Sequence, residues 1–543
     1  MRYPVTVIKI LFLTVIAILS ACAEKQKQQR PNVILIMADD MGYSDIGCYG
    51  GDVQTPNIDK LANEGVRFTQ FYNGARCCPT RASLMTGCYP HQTGIGHMTN
   101  TPENFKQHDL DVDEYRGFLN HNCVTIAEVL KQSGYSTLMT GKWHLGISDS
   151  TKWPLQRGFD KFYGCIVGAT NFFKPQYPRG IVYMNDTISI NDENYYTTDA
   201  FTDNAIQFID ESEKESGKPF FLYLAYTAPH WPLNAPKEIV EKYKGHYKEG
   251  WSKLRSERYD RMKQLGIIDD NWLLSGDDGI DWDSLSEDKK NEMDLRRAIY
   301  SAMIDQMDYN IGKLTDYLKQ NNLLDNTLII FLSDNGGCEI GGMLGGGPAS
   351  QLGTKEGYFL TYGKAWANLS NTPFKEYKHW VHEGGISTPL IVHWPQQTTA
   401  NVKGKLVSQY GFLPDIMATI LDATGATYPK DYNGKSIPPH SGKSFLPVVK
   451  GNEKEIHTEP IFWEHEGNKA VRLGNYKLVS KWKNNETAQW ELYDMVNDRT
   501  EMHNLVESMP DKVIEMEKMY LKWASDKKVL PWNEVLQKYK SKN

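Results

Sequence analysis

Short apolar runs with the length of β-strands alternate along this chain with segments of helical periodicity. The strand-like runs are residues 33–38, 136–139, 219–226, 327–332 and 390–393, and the helical segments include residues 57–64, 124–132 and 298–318. Strands that alternate with helices predict an α/β layer fold with a mostly parallel sheet. A chain of 543 residues is long enough for one such large domain and a second, smaller one.

The C-terminal part has a different pattern. Residues 423–442 contain several prolines and glycines, which indicates a domain boundary. The segments beyond it are strand-like at residues 460–462, 470–472 and 477–479 and helical from Pro510 to about Ser525. We therefore predict a large domain at residues 31–430 and a small α+β domain at residues 440–543. The charged residues 236–292 and the glycine-rich residues 336–353 have the composition of insertions or boundaries.

The N-terminus has the pattern of an export signal followed by a tether. Two basic residues precede an apolar run at residues 10–19, which is too short to span a bilayer but suits the core of a signal peptide. The run ends in Leu-Ser-Ala-Cys22, which resembles the processing box of bacterial lipoproteins. We predict a lipoprotein signal peptide at residues 1–21 and a polar tether at residues 22–30. An acylated Cys22 would anchor the exported protein to a membrane, in the periplasm or at the cell surface. The alternative is a plain secretory signal in which Cys22 is incidental.

Charge and cysteine content exclude some functions. The formal net charge of -7 argues against a nucleic-acid-binding protein. Eight cysteines are too few for a disulfide scaffold in a chain of this length, and the paired CxxC spacing of a zinc site is missing from the sequence. Cys78 and Cys88 are close enough in sequence for a bridge, and the sequence leaves that question open.

Polar and reactive residues follow four of the predicted strands at the point where each strand ends. They are Asp39 and Asp40, Lys142 and His144, His230, and Asp334 and Asn335. Sites in open α/β sheets form outside the carboxyl ends of the strands. These four endings therefore predict one shared crevice.

Two of these endings, Asp39-Asp40 and Asp334-Asn335, are acidic pairs. A carboxylate after a buried strand is costly unless something neutralises its charge. A hard divalent cation would do so, and carboxylate and amide oxygens suit Ca²⁺ or Mg²⁺ better than zinc. The alternative is that both pairs cap helices or form turns, as Asp and Asn often do.

Residues 77–87 begin as a proline-containing turn and continue as the start of a helix. A thiol at a helix N-terminus, such as that of Cys77, is expected to have a lowered pKa. The free N–H groups of that terminus would hold an anion, and Arg81 offers a planar fork for sulfate or phosphate. The alternative is that Cys77 is a structural thiol.

The segment Cys77-x-Pro79-x-Arg81, followed by Leu84-x-Thr86-Gly87, resembles the signature of type I sulfatases, in which a maturase oxidises the first cysteine to formylglycine. Further motifs of that family match within residues 31–530, at residues 39–50, 55–59, 141–146, 332–336 and 491–505 and at Lys378, five residues before Glu383-Gly384-Gly385. Residues 168–172, 250–258 and 377–378 resemble the bacterial arylsulfatase subgroup more narrowly. Cys78 departs from the family pattern, which more usually has Ala, Ser or Thr at this position.

The resemblance implies an alkaline-phosphatase-like α/β/α sandwich with a large mixed, mostly parallel sheet, followed by a small C-terminal α+β domain with an antiparallel sheet. It also implies a sulfuric ester hydrolase of the arylsulfatase type. The implied ligands of Ca²⁺, or of Mg²⁺ in its place, are Asp39, Asp40, Asp334, Asn335 and the modified Cys77. The implied catalytic residues are Cys77, Arg81, Lys142, His144, His230 and Lys378. Of these, Lys142, His230 and Lys378 would also bind the substrate.

The implied reaction uses the hydrate of the formylglycine aldehyde, which has two hydroxyl groups on one carbon. One hydroxyl, deprotonated toward Asp334, attacks sulfur, the leaving alcohol takes a proton from His230 or Lys378, and a sulfo-enzyme forms. The second hydroxyl then loses its proton toward His144 and expels sulfate. The implied partners are a sulfatase-maturating enzyme and a sulfate ester, either a small molecule or a glycan, and not nucleic acid.

Two other functions are considered. A phosphonate monoester or phosphodiester hydrolase would use the same formylglycine and the same site, because tetrahedral anions of similar size enter both. The alternative outside enzymes is a surface glycan-binding lipoprotein that has lost catalysis, and the intact set of reactive residues argues against it. His91 and His97 lie outside the matched motifs and are predicted to be structural.

Overall fold

The computed structural model describes residues 30–99, 109–452, 455–484 and 489–542. The predicted signal peptide, Cys22 and the tether up to residue 29 lie outside the described residues. Within the described ranges, no helix is long and apolar enough to cross a bilayer.

One sheet of eleven strands forms the centre of the large domain. Its strands are β1 (Asn32–Ala38), β2 (Val66–Tyr72), β3 (Ser136–Lys142), β4 (Lys161–Cys165), β5 (Ile181–Tyr183), β6 (Asp186–Ile188), β7 (Phe220–Ala225), β8 (Thr327–Ser333), β9 (Ser387–His393), β10 (Leu406–Val407) and β11 (Gly411–Phe412). Their order is β10-β2-β9-β8-β1-β7-β3-β4-β5-β6, and β11 also pairs with β2. Strands β8, β1, β7, β3 and β4 are parallel to one another, whereas β9, β5 and β6 pair antiparallel with their neighbours.

Helices cover both faces of this sheet. They are α1 (Pro56–Glu64), α2 (Cys77–Thr86), α3 (Ile126–Gln132), α4 (Thr197–Ser216), α5 (Lys237–Tyr243), α6 (Trp251–Gln264), α7 (Glu287–Gln320), α8 (Gly363–Ser370), α9 (Glu383–Ile386), α10 (Pro414–Thr424) and α11 (Leu446–Val449). A short hairpin, β12 (Asp431–Tyr432) with β13 (Lys435–Ser436), lies between α10 and α11.

Strand β1 shows why the sheet needs helices on both sides. Its residues are all buried, and alternate residues point to opposite faces. Ile34 and Ile36 join the core that contains α4 and α7, whereas Val33 and Leu35 join the core that contains α2, α3 and α10. A strand with two buried faces appears in the sequence as a continuous apolar run.

The small domain is a four-stranded antiparallel sheet with one helix packed on it. Its elements are β14 (Ile461–His465), β15 (Asn468–Leu473), β16 (Tyr476–Ser480), β17 (Glu491–Asp494), α12 (Pro510–Asp526) and the final helix α13 (Trp532–Lys542). Trp523 of α12 is buried with Trp463 of β14 in a core that also contains Tyr72 and Phe412 of the large sheet. The two domains therefore share a hydrophobic core.

The predicted fold class, a mixed and mostly parallel sheet between helices with a small antiparallel C-terminal sheet, is confirmed. Residues 236–292, predicted as an insertion or boundary, pack into the large domain and contribute Trp251 and Trp282 to its main core. Helix α7 also begins well before residue 298. Its start is set by Ser286, whose side chain accepts a hydrogen bond from the Lys289 N–H.

Candidate active site

The four reactive strand endings lie side by side, because β8, β1, β7 and β3 are consecutive and parallel in the sheet. The residues at these endings are Asp39 and Asp40 after β1, Lys142 and His144 at the end of β3, His230 after β7, and Asp334 and Asn335 after β8. All of these side chains are buried. The structure therefore brings the predicted residues together at one edge of the sheet, where Cys77, Arg81 and Lys378 join them.

Asp40 connects the two acidic strand endings. Its backbone N–H donates to Asp334 Oδ1 at 3.2 Å, and its Oδ1 accepts a hydrogen bond from Asn335 Nδ2 at 2.7 Å. Asp40 has a φ of 62°, a left-handed conformation that Asp tolerates better than most residues. This turn lets the side chain after β1 reach the ending of β8.

Each of the three carboxylates is paired with a buried cation. Arg81 donates to Asp334 Oδ2 through Nη2 at 2.8 Å and Nε at 3.2 Å. Lys142 Nζ lies 2.7 Å from Asp39 Oδ2, and Lys378 Nζ lies 2.5 Å from Asp40 Oδ1. Burial opposes ionisation of these acids, but Lys378 lowers the pKa of Asp40 and Arg81 lowers the pKa of Asp334.

The acidic group fits a further cation. Within the described residues, Asp40 Oδ2 and Asn335 Oδ1 are buried without a hydrogen bond. Burial, followed by repulsion from Asp334, raises the pKa of Asp39 to about 8. Buried oxygens with unused lone pairs match the ligands of Ca²⁺ or Mg²⁺.

Cys77 is the first residue of α2 and has no exposed surface. Its Sγ lies 3.9 Å from Asp39 Oδ1. This Sγ, one oxygen each of Asp39 and Asp40 and a ring nitrogen of His230 all lie within 4.8 Å of one another. The expected lowering of the thiol pKa is wrong. Complete burial raises the pKa of Cys77, and the nearby lysines offset that effect only in part.

Backbone carbonyls hold both predicted catalytic histidines. His144 Nε2 lies 2.9 Å from Thr99 O, and His230 Nδ1 lies 2.6 Å from Trp231 O. The second nitrogen of His230, Nε2, is 3.4 Å from Asp40 Oδ2. Burial is the main cause that lowers the pKa of both rings, and nearby lysines add to it, so both imidazoles are neutral near neutral pH.

A buried network that sequence reasoning missed supports the loop after β1. Asp45 accepts hydrogen bonds from Arg297 at 2.8 Å, Arg258 at 3.1 Å and Tyr300 at 2.8 Å. Tyr300 also donates to the backbone carbonyl of Asp40 at 3.2 Å. The sequence contains one indication of this network. Arg297 and Tyr300 are three residues apart, so they share one face of α7.

A second buried network ties the segment that carries Lys378 to the small domain. Lys477 Nζ lies 2.8 Å from Glu383 Oε1 and 2.9 Å from Glu501 Oε1, and Arg499 Nε lies 2.9 Å from Glu383 Oε2. These side chains have no exposed surface. Glu383 begins α9, five residues after Lys378. The small domain therefore helps to fix the position of Lys378.

The remaining cysteines and histidines have other contacts. The seven cysteines in the described ranges are all free, so Cys78 and Cys88 are not bridged. His91 Nε2 pairs with Glu464 Oε2 at 2.8 Å, and the ring of His97 stacks on Tyr115.

Comparisons with known proteins agree with this geometry. The chain matches the family model described as Sulfatase over residues 31–426, and the model described as N-sulphoglucosamine sulphohydrolase, C-terminal, over residues 375–524. An uncharacterised sulfatase of Schizosaccharomyces pombe is 33% identical, with 93% of this chain and 95% of that protein covered. An arylsulfatase of Klebsiella aerogenes is 34% identical, with 81% of this chain and 97% of that protein covered.

Solved structures include Ps i-CgsB in complex with k-i-k-neocarrahexaose. It has a TM-score of 0.67 and 28% sequence identity, with 92% of this chain and 94% of that chain covered. The family match extends over most of the chain and includes all four strand endings. The chain thus belongs to the sulfatase family, and it is a sulfuric ester hydrolase with an alkaline-phosphatase-like fold.

Proposed function

We propose that the chain hydrolyses sulfate esters with a formylglycine derived from Cys77, beside a bound Ca²⁺ ion. The ligands of the ion would be Asp39, Asp40, Asp334, Asn335 and the modified Cys77. The observation that carries this proposal is the buried position of Cys77 Sγ, 3.9 Å from Asp39 at the start of α2. A purely structural thiol would not need three buried acids and three buried cations around it. The hydrate of formylglycine, formed by addition of water to the aldehyde, would supply one hydroxyl that attacks sulfur and a second that releases sulfate.

The cations that would bind the sulfate group are held in place by the fold. Arg81, Lys142 and Lys378 are each fixed by a carboxylate, at 2.8, 2.7 and 2.5 Å. Charge that develops on the sulfate oxygens would meet groups that need little reorganisation. A bound divalent cation would add Lewis-acid stabilisation of the same charge.

Proton transfers are assigned to four side chains. The attacking hydroxyl would lose its proton toward Asp334. The leaving alcohol would take its proton from Lys378 or from His230, both of which lie against Asp40. His230 could donate that proton only as the imidazolium, since its Nδ1–H faces Trp231 O. The proton of the second hydroxyl would pass to His144. Its Nε2 faces Thr99 O and its Nδ1 has no hydrogen bond among the described residues. A neutral ring with one unprotonated nitrogen is the form that a general base requires.

The mass of the tryptic peptide at residues 77–81 tests the modification. In protein made with a sulfatase maturase, we expect a loss of about 18 Da relative to the thiol peptide, because the thiol becomes an aldehyde. An unmodified thiol, or a disulfide between Cys77 and Cys78, would count against the mechanism. Faster turnover of an aryl phosphonate than of an aryl sulfate by the same sample would favour the phosphonate hydrolase.

Removal of divalent cations should inactivate the protein and lower its melting temperature. Ca²⁺ at about 100 times its Kd should then return about 2.7 kcal/mol to the free energy of unfolding. Asp40→Asn should weaken this response, whereas Asp210→Asn, which removes an exposed acid paired with Lys214, should keep it. A response to Mg²⁺ alone would identify that ion, and a wild-type protein that responds to neither would contradict the metal site.

We also propose that the natural substrate is a sulfated glycan and that aryl sulfates are surrogates. The structural relative Ps i-CgsB, solved in complex with k-i-k-neocarrahexaose, supports this choice. Export as a lipoprotein anchored through Cys22, in the periplasm or at the cell surface, would place the enzyme where it meets such substrates. Mass analysis of the N-terminal peptide from membrane-fraction protein tests the anchor. The mature protein should begin with an acylated Cys22.

A further inference from the structure

A group of polar side chains next to the catalytic residues has no function in the mechanism above. Arg76 directly precedes Cys77, and His379 directly follows Lys378. They meet His465 and Glu466, which lie at the turn between β14 and β15 of the small domain. These four residues are called the rim cluster.

The rim cluster contains polar atoms without partners. Glu466 Oε2 lies 3.4 Å from His379 Nδ1 and 3.9 Å from His465 Nε2, and Arg76 Nη1 lies 3.3 Å from His379 Nδ1. Among the described residues, Arg76 Nε and both ring nitrogens of His465 are buried without a hydrogen bond. These donors and acceptors are therefore available to a bound polar ligand.

Two residues of the rim cluster, like two residues of the catalytic site, have a left-handed backbone, and Glu466 does so in the hairpin turn between β14 and β15. Asp40 and His144 have φ values of 62° and 55°, and His379 and Glu466 have φ values of 91° and 51°. Left-handed conformations of non-glycine residues are uncommon and occur often at active and ligand-binding sites. Side chains of His379 and Glu466 also keep 25% and 19% of their surface exposed, so a ligand can reach them.

The chemistry of the rim cluster suits a neutral polar ligand. Arg76 and Glu466 carry opposite charges, and burial is the main cause that lowers the pKa of His379, to about 3, and of His465. The two lysines nearby are each paired with an acid, Lys378 with Asp40 and Lys481 with Glu376, so neither adds an unpaired positive charge to the cluster. A strong donor next to a strong acceptor matches adjacent hydroxyl groups. The indole of Trp380 lies 4.8 Å from the His379 ring, and Lys481 Nζ lies over this indole, 4.1 Å from its centroid.

The same residues are less suited to binding a second metal cation than to binding a neutral ligand. His379, His465 and Glu466 place three ligand atoms within 4.8 Å of one another. The guanidinium of Arg76 lies against His379, so a cation bound there would meet a positive charge with only one carboxylate to compensate.

We propose that the rim cluster binds hydroxyl groups of a sugar ring on the alcohol side of the sulfate ester, with Glu466 as acceptor and Arg76 as donor. This inference rests on the proposed sulfate ester hydrolysis at Cys77. It adds a requirement for a carbohydrate leaving group, which an aryl sulfate lacks.

The test compares turnover of two kinds of sulfate ester. The first kind is galactose or N-acetylglucosamine, each monosulfated at one ring hydroxyl. The second is 4-nitrophenyl sulfate, whose leaving group has no further hydroxyls. For Glu466→Gln and His379→Asn, the ratio of kcat/KM on the preferred sugar sulfate to kcat/KM on the aryl sulfate should fall roughly 10- to 100-fold. Both variants suit the fold, since Gln matches Glu in shape and Asn tolerates a left-handed φ. Formylglycine content and melting temperature are measured for each.

Glu64→Gln is the matched control. Glu64 Oε2 lies 3.7 Å from His393 Nε2, in a carboxylate–histidine pair at the other edge of the sheet, and the ratio should not change. Equal losses on both substrates in the rim variants, or an unchanged ratio, would overturn the inference and leave the sulfatase mechanism standing. The inference would also be overturned if wild-type protein that contains formylglycine hydrolysed only the aryl sulfate. Turnover of neither ester would overturn the proposed function and this inference with it.

Discussion

Cys77→Ser is expected to end multiple turnover and to release at most one equivalent of alcohol per enzyme. A sulfated serine has no second hydroxyl on the same carbon to expel sulfate, so the covalent intermediate would accumulate. We expect the steady-state kcat to fall by at least about 10⁴-fold. The measurements are the burst of alcohol release and the intact mass of the protein, which should rise by about 80 Da as sulfate is retained.

Cys78→Ser is the control for this experiment. Cys78 is the next residue of α2 and is equally buried, but its Sγ faces His97 O at 3.6 Å and Met98 Sδ at 3.5 Å instead of the acids. Its turnover should remain within about tenfold of the wild-type value. Sustained turnover by Cys77→Ser would rule out the hydrate mechanism, and an equal loss in Cys78→Ser would assign the effect to the packing of α2.

Glu383→Ala should lower the free energy of unfolding by about 3–5 kcal/mol, because removal of one partner leaves buried charges uncompensated. Arg499 would lose its carboxylate, and Lys477 would keep only Glu501. The segment that carries Lys378 would also be held less firmly, so kcat should fall as well. Urea unfolding and steady-state kinetics measure the two effects.

The control for Glu383→Ala is a carboxylate in a partly exposed ion pair. Glu211, in α4, lies 2.5 Å from Lys161 with a third of its side-chain surface exposed. Exposed pairs contribute less than about 1 kcal/mol, so Glu211→Ala should have a small effect. If the two variants lost similar stability, the buried network would not be what holds the domains together.

Acid should weaken the same network. Burial alone would raise the pKa of Glu383, but Lys477 and then Arg499 hold the pKa at about 2, below the ordinary value of 4.5. A carboxyl whose folded-state pKa is depressed stabilises the protein above its unfolded pKa, and that contribution is lost as the pH falls toward the folded pKa. The stability difference between wild type and Glu383→Ala should therefore shrink between about pH 4.5 and pH 2.

The sheet and the location of the site could be predicted because both follow from local patterns. Residues 327–332 form an apolar run in the sequence, and the structure has a strand at Thr327–Ser333 with two buried faces. Asp334 follows that strand directly, as Asp39 follows β1. Once the strands are parallel neighbours, their reactive endings have to meet.

Contacts between distant parts of the chain could not be predicted in this way. Arg297 appears in the sequence as one of several charged residues on a helix, and only the fold shows that it is buried against Asp45. The pairing of Glu383 with Lys477 joins two domains, and no local spacing indicates it. The pKa of Cys77 was predicted in the wrong direction for the same reason, since burial depends on the whole tertiary structure.

The complete burial of Cys77 has a consequence for the order of events during biogenesis. If the thiol is oxidised as proposed, the maturase cannot reach it once α2 has packed under the sheet edge. Protein folded with an intact thiol should therefore resist later conversion, which the mass of residues 77–81 would reveal. The time available for maturation would then be set by how soon the chain folds, and an exported chain would have to be modified before it leaves the compartment of its maturase.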